Sequence, residues 1–480
     1  MASLKIQELC RIAPPPSSPK SSFSLTFFVL LWLRLHPVER LFFFSLPHLS
    51  HSSFFDSIVP KLKRSLSLTL QHFLPLAGNI VWPSDSPKPI VQYTPGYAVS
   101  LAMAVSDSDL NHVLNKSPRD ASQSRAFVPN LDSSDSFASV LSLQITLFPN
   151  SGFCIGMSSH HACLDGKSAT MFMKAWAYLC RTEAENESSG FLPQELQPFT
   201  EREVIIDPCG IDITYINGWS GLDPTHQAQK SQPLSLKILY DVFPLLVDHS
   251  ARAIFELKRW DINKIKERVL QKWENSETKE EKEDSTLSKP QNLSTFVLTT
   301  SYVLVCLAKA VETTGENKRR KLLFCFPADC RARLEPPIPE TYFGNCVMPQ
   351  ILEIQPENIK DEDGLVMLAK KIHRKIKKIQ KEKGALDGAE TLFSGYSLQS
   401  AEGIEVQYIA VAGSTRFGVY ETDFGWGRPE KMGTLSVDRG ITMAMAESKD
   451  GDGGVEVGLA LKKRVMDQFA SLFATMIASL

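Results

Sequence analysis

Two apolar runs in close succession, "SVLSLQITLF" (139–148) and "GFCIGMSS" (152–159), constrain this chain most strongly. The "PNSG" between them is built from turn residues, so the runs read as strands, one behind the other. The second run ends in a polar cluster, "SSHHACLDG" (158–166). A helix follows over 167–179, with Phe172, Trp176 and Leu179 at helical spacing. That order places His161 just after a strand and just before a helix, with Asp165-Gly166 supplying the turn. A side chain at such a junction projects into a cleft while rigid elements hold it on both sides.

The remainder of the chain mixes the same elements. Helical spacing recurs over 62–73, stopped by Pro75 and Gly78. "RAIFELK" (252–258) reads as a strand, and a helix begins at Asp261, which fits the cap ahead of Ile262, Ile265 and Val269. "STFVLTTSYVLVCLAKAVE" (294–312) reads as an apolar helix capped by Ser294, and "KLLFCFPAD" (321–329) as a core strand. "GITMAMAES" and "GVEVGLALK" flank "KDGDG", a strong hairpin signal, and a last helix runs from about Lys463. "NSETKEEKEDSTLSKPQ" (275–291) reads as a charged, solvated loop. Over 199–234 prolines, glycines, Thr225, His226 and Gln227 replace periodicity. This segment reads as a crossover between an N-terminal domain (1–198) and a C-terminal one (235–480). Strands and helices occur in both halves, so the class is α/β or α+β.

Composition removes several functions. A net charge of −2 over 480 residues leaves no footprint for nucleic acid or an anionic membrane. The nine cysteines are scattered singly with no CxxC pair, as in a reducing compartment. Sequons at Asn115, Asn186 and Asn292 carry little weight without a secretion signal, and "APPPSSP" interrupts the N-terminus where such a signal would be apolar. The apolar stretch "FSLTFFVLLWLRLHPVERLFFF" is cut at Arg34, too short for the roughly 20 residues of a spanning helix. It reads as a buried strand and turn. A soluble cytosolic protein is expected.

On residues alone, His161 has two readings. An imidazole with an ordinary pKa near 6.5 accepts a proton at neutral pH, which suits a general base. A satisfied structural His-His pair in a turn fits the spacing equally well. No HExxH and no third ligand group accompany the pair, so no metal is expected. Cys163 is either a nucleophile or a small core residue. In "DFGWG" (423–427), glycines let the backbone pass closely while Phe424 and Trp426 bury large areas. No Gly-rich loop, HRD loop or β3 lysine accompanies it, which excludes a kinase.

Together, "HHACLDG" (160–166) and "DFGWG" (423–427) resemble the HxxxD and DFGWG motifs of the plant BAHD acyl-CoA-dependent acyltransferases. "YFGNC" (342–346) and "STRFGVYETDFGWGRP" (414–429) are similar to the branch acting on anthocyanin, flavonoid and other phenolic glucosides. The likeness covers nearly the whole chain. It implies an α/β fold of two similar-sized, chloramphenicol-acetyltransferase-like domains joined by a long crossover loop, with a solvent channel between them.

The resemblance also implies a mechanism. His161 acts as general base in direct acyl transfer from an acyl-CoA to a sugar hydroxyl. Asp165 points away and holds the loop through an arginine. Asp423, Phe424, Gly425, Trp426 and Gly427 are structural. No cofactor is bound; malonyl-CoA is the implied co-substrate and a phenolic or flavonoid glucoside the acceptor, with coumaroyl-CoA as the alternative donor. A malonyl carboxylate calls for a cation, for which Lys167 and Arg331 are candidates, each also readable as solvated or salt-bridged. For the CoA phosphates the candidates are Lys258, Arg259 and the helix start at Ser294 and Thr295. A monomer in the cytoplasm is expected, without nucleic-acid or membrane partners. One departure stands out: this branch usually reads "FFDLLW", and here Val29 replaces the aspartate. A partner left unpaired in the core costs about 1–3 kcal/mol. That departure raises a second class of function, a weakened paralogue that binds CoA or a glucoside without turnover.

Overall fold

At the "PNSG" turn Asn150 adopts φ 60°, a left-handed conformation that asparagine tolerates. The flanking strands pair antiparallel from Leu141↔Ser159 to Phe148↔Gly152. Both are buried at all eight positions, hence continuous apolar runs in place of alternation. This hairpin lies at the centre of the first of two large sheets. The computed structural model describes residues 3–182, 190–207, 209–222, 234–240, 250–273, 289–315, 320–355, 359, 363–380, 384–392 and 405–480. The sequon at Asn186, the crossover residues Thr225, His226 and Gln227, and 275–288 of the charged loop lie outside the described residues.

The strands of the two large sheets are β1 (Leu4–Ile12), β2 (Val38–Ser45), β3 (Val99–Ser106), β4 (Leu141–Phe148), β5 (Gly152–Ser159), β6 (Ser250–Leu257), β7 (Arg320–Asp329), β8 (Val347–Ile354), β9 (Glu405–Ser414), β10 (Lys431–Thr434), β11 (Ile441–Glu447) and β12 (Val455–Lys462). The first sheet runs β1-β3-β4-β5-β2-β10. The second runs β8-β7-β9-β11-β12-β6 and ends on the two-residue strand Arg119–Asp120. Each sheet therefore borrows one strand from the other half of the chain. β10 pairs with β2 from Lys431↔Phe43 to Thr434↔Arg40, and Arg119 pairs with Arg252 of β6. Neither exchange was expected from the sequence.

The longer helices among the described residues are α1 (Val59–His72), α2 (Gly166–Thr182), α3 (Ile211–Leu222), α4 (Arg259–Lys272), α5 (Thr295–Thr313), α6 (Gly364–Ile379) and α7 (Lys463–Ser479). Trp176 of α2 donates its indole N–H to Leu62 O and Ser65 Oγ of α1 at 3.2 and 3.1 Å, joining the two helices. Ser294 caps α5 as expected, accepting from Val297 N–H at 3.3 Å. Helix α5 is long and apolar enough to cross a membrane, but two thirds of its apolar window is buried within the protein, 67%. It packs against α4, α6 and α7.

Three local readings are corrected. The apolar N-terminal stretch contains a one-turn helix, Phe27–Leu30, whose four side chains are all buried, before β2. Asp261 does not precede its helix; it lies in the first turn of α4 and accepts from Lys258 N–H at 2.9 Å, so Lys258 is the boundary residue. The crossover contains a helix, α3, with Ile211, Tyr215 and Trp219 buried at helical spacing. Trp219 donates to Leu30 O at 2.7 Å and Tyr215 to Ala389 O at 2.7 Å, so α3 ties the N-terminal segment to the C-terminal half.

Candidate active site

β5 ends at Ser159, and the chain turns at once. His160 donates its N–H to Val140 O at 2.9 Å, and Cys163 N–H donates to His160 O at 3.0 Å, which closes the turn. Asp165 then starts α2: its Oδ1 accepts from Ser168 N–H at 2.8 Å and its carbonyl from Ala169 N–H at 3.0 Å. One carboxylate oxygen thus caps the helix. Gly166, the first helical residue, is needed for space, since a Cβ there would lie 2.6 Å from Cε2 of Phe417.

The second carboxylate oxygen of Asp165 faces the other half of the chain. It accepts from Arg331 Nη2 at 2.7 Å and from Cys346 N–H at 3.1 Å. Arg331 is fully buried, and its remaining donors reach Asp329 Oδ1, Ser168 Oγ and the carbonyls of Tyr342 and Gly344. The "YFGNC" segment is stitched on at further points. Ser168 Oγ donates to Gly344 O at 2.8 Å, and Asn345 Nδ2 donates to the carbonyl of His161 at 2.9 Å. Phe199, at the start of the crossover, bonds Thr341 O and receives Phe343 N–H, holding the segment from behind.

His161 stands on this braced turn. Its ring stacks on Trp32 with centroids 4.1 Å apart and planes 10° apart. Nδ1 is buried, and no other residue hydrogen-bonds it. Burial pushes the imidazole down to about 4; its own backbone carbonyl and Asp165 pull upward, and Arg40 pulls downward. His160 is fully buried and pushed to about 3 by desolvation, with the nearby His161 adding to the effect; its Nδ1 accepts from Ala162 N–H. His36 is also held at about 3, chiefly by burial. All three rings are neutral at neutral pH. Burial raises the Cys163 thiol to about 12, so it stays protonated and is no nucleophile. Among the described residues no cluster of three His, Cys, Asp or Glu is placed to hold a metal.

His161 thus stands beyond a strand end, on a turn braced across two halves of one chain. The model of the Transferase family matches residues 2–476. The chain is 41% identical over 478 residues to phenolic glucoside malonyltransferase 1 of Arabidopsis thaliana, covering 98% of this chain and 97% of that protein. The chain belongs to the BAHD acyl-CoA-dependent acyltransferase family. It is also 38% identical over 494 residues to the malonyl-CoA:anthocyanidin 5-O-glucoside-6''-O-malonyltransferase of Arabidopsis thaliana, covering 98% of each. Its fold is similar to that of vinorine synthase, with a TM-score of 0.64 over 98% of each chain at 18% identity. As a BAHD enzyme it is a CoA-dependent acyltransferase.

The other BAHD motif lies elsewhere. Asp423 Oδ1 accepts from Gly425 N–H at 2.8 Å and Gly427 N–H at 3.1 Å. Both glycines have left-handed φ, 100° and 99°, which explains the residue choice. Phe424 is fully buried, edge-on to Phe44 and Trp176 at 5.7 and 5.0 Å. Trp426 meets Phe153 edge-on at 6.0 Å, with Lys61 Nζ over its ring at 5.0 Å. Phe153 lies near the start of β5 and His161 beyond its end, with roughly 20 Å of strand from Phe153 to Ser159 at about 3.3 Å per residue.

The candidate donor contacts need correction. Arg331 is fully buried and already engaged: Nε donates to Tyr342 O, Nη1 to Asp329 Oδ1 and Nη2 to Asp165 Oδ2. Lys167 is already paired with Glu340 and lies 3.9 Å from Asp329. Lys258 and Arg259 start α4, with the Arg259 side chain passing beside Gly453 of the β11–β12 hairpin. Ser294 and Thr295 start α5 near Asn292, which Lys266 of α4 contacts at 2.7 Å. Sequence reasoning missed Trp32, Arg40 and Asn345 around His161, none of which has a local signal. Val29 is buried in the short N-terminal helix, and Thr26 Oγ1 and Trp32 Nε1 on the same segment are buried without partners.

Proposed function

We propose that this chain transfers a malonyl group from malonyl-CoA to a sugar hydroxyl of a phenolic glucoside, with His161 as general base and Asp165 as the brace of its turn. The observation that carries the reading is the state of His161: neutral, partly accessible, with Nδ1 turned into the protein and no side chain bonded to the ring. Nε2 is then the nitrogen a substrate hydroxyl reaches. It accepts the hydroxyl proton as the sugar oxygen attacks the thioester carbonyl. The tetrahedral intermediate collapses, the C–S bond breaks, and the departing CoA thiolate takes the proton back from His161. Each proton and electron pair is accounted for without an acyl-enzyme, consistent with a protonated Cys163.

The donor and acceptor rest on two relatives named for malonyl transfer to phenolic and anthocyanidin glucosides. We place the CoA phosphates at the starts of α4 and α5, by Lys258, Arg259, Ser294 and Thr295. The same reading gives a two-lobed, monomeric, cytosolic enzyme. One observation favours a hydroxycinnamoyl donor as second reading: Arg331 and Lys167, the cations expected to meet a malonyl carboxylate, are already paired. CoA release from malonyl-CoA and coumaroyl-CoA, measured in parallel with a panel of phenolic glucosides for wild type and His161→Ala, decides. Glucoside-dependent release with malonyl-CoA, lost in the variant, is expected. Release with coumaroyl-CoA alone overturns the donor. A folded wild type that binds malonyl-CoA without release indicates the non-catalytic paralogue. Full activity in His161→Ala refutes the mechanism.

A further inference from the structure

The ring of His161 poses a problem that its hydrogen bonds do not solve. A catalytic imidazole is ordinarily oriented by a carboxylate or carbonyl on its second nitrogen. Here no other residue bonds Nδ1. The carboxylate closest in sequence, Asp165, is consumed: one oxygen caps α2 and the other meets Arg331 and Cys346. The remaining titratable neighbours do not help a cation form. His160 on the same turn and His36 before β2 are neutral, and Arg40 of β2 is cationic. A base that must become imidazolium during transfer therefore has no carboxylate bonded to its ring, only the pull of its own backbone carbonyl and of Asp165 at a distance. Trp32 lies flat against it, at 4.1 Å and 10°.

We infer that Trp32 is a positioning residue for the transfer reaction: its indole face fixes the plane of His161 and stabilises the imidazolium that forms when the sugar hydroxyl gives up its proton. The inference rests on the assignment of His161 as base. An aromatic face carries negative quadrupole charge and attracts a cation within about 6 Å of its centre, most strongly for indole. A neutral imidazole gains less from the same face. The contact is thus stronger in the charged transition state than in the ground state, which is the condition for raising kcat. The indole comes from the segment preceding β2 and the imidazole from the turn after β5, so the pair also ties the entry of β2 to the active turn.

The test uses full-length Trp32→Leu and Trp32→Phe beside wild type and His161→Ala. Ring resonances of His161, identified by their loss in His161→Ala, are titrated by NMR without substrates. Steady-state kinetics give kcat and KM separately. Trp32→Leu is expected to lower the His161 pKa by about one unit and kcat about tenfold, a difference of about 1.4 kcal/mol. KM for the acyl-CoA is expected to hold within about twofold. Trp32→Phe, which keeps an aromatic face, is expected to recover most of both. An unmoved His161 pKa in a folded Trp32→Leu protein overturns the inference, as does equal loss in the Phe and Leu variants. Because the titration needs no turnover, it reports on the stacking even if His161→Ala retains activity and the base assignment fails.

Discussion

Removing both partners of the Asp165–Arg331 pair should cost much less than the sum of removing each alone. The side chains are 1% and 0% exposed and meet at 2.7 Å, so solvent screens neither. Breaking a buried pair by deleting one member ordinarily costs about 3–5 kcal/mol, because the survivor stays buried and uncompensated. Two features place these variants within that range. In Asp165→Asn, Arg331 keeps Asp329 at 3.0 Å, and the amide oxygen still serves as helix cap, so about 3 kcal/mol is expected. In Arg331→Met, Asp165 keeps the N–H groups of Ser168 and Cys346, but the buried carbonyl of Tyr342 loses its donors, so about 4 kcal/mol is expected. The double variant removes both charges and should lose about 3–5 kcal/mol, well short of the sum of about 7. The resulting coupling of about 2–4 kcal/mol is readable from urea midpoints and slopes by tryptophan fluorescence. Additivity within about 0.5 kcal/mol would refute the claim that the two groups form one unit. Asp165→Asn should also keep a larger share of kcat than His161→Ala, since the aspartate holds the turn and does not bond the ring.

Two further outcomes follow from the buried histidines and the second motif. His160 and His36 have folded values near 3, below the ordinary 6.5, so the unfolded chain binds more protons between those limits. Stability should be complete above about pH 6.5 and fall as pH drops toward 3, visible as a lower urea midpoint at pH 5 than at pH 7; the opposite slope would contradict the burial of these rings. Phe424→Ala removes a fully buried ring with two edge-on aromatic neighbours and should destabilise by about 3–5 kcal/mol. Its kcat at a temperature where the protein remains folded should match wild type, and a specific loss of kcat would place chemistry at that loop.

Much of this fold was readable because its signals are local. The β4–β5 hairpin, helix α2 after it, the Ser294 cap and the β11–β12 hairpin all declare themselves within about twenty residues of chain. His161 was locatable for the same reason, being fixed by strand, turn and helix in one continuous run. What surrounds it was not. Arg331 reaches Asp165 across 166 residues and Asn345 reaches His161 across 184, and no periodicity records such contacts. Arg331 shows the cost: from sequence it reads equally as a cation for substrate or as a salt-bridged residue, and only the fold shows the bridge to Asp165. The boundary at Asp261 failed more subtly, because a carboxylate serves a helix start from inside the first turn as well as from the cap. The helix in the crossover did carry a signal, Ile211, Tyr215 and Trp219 four residues apart, which the surrounding glycines masked.

The exchanged strand β10 has a consequence for how the chain is made. Until residues 431–434 arrive, β2 has no neighbour on one side, although its sequence "VERLFFFS" is long, apolar and well suited to template unwanted pairing. The central hairpin is complete at Ser159 and the missing neighbour at Thr434, an interval of 434 − 159 = 275 residues. At about 5–20 residues per second, the ribosome takes roughly 15–55 s to supply it. The nascent N-terminal half spends that interval with an open, phenylalanine-rich border, and the last tenth of the gene, more than any earlier part, determines when that border is sealed.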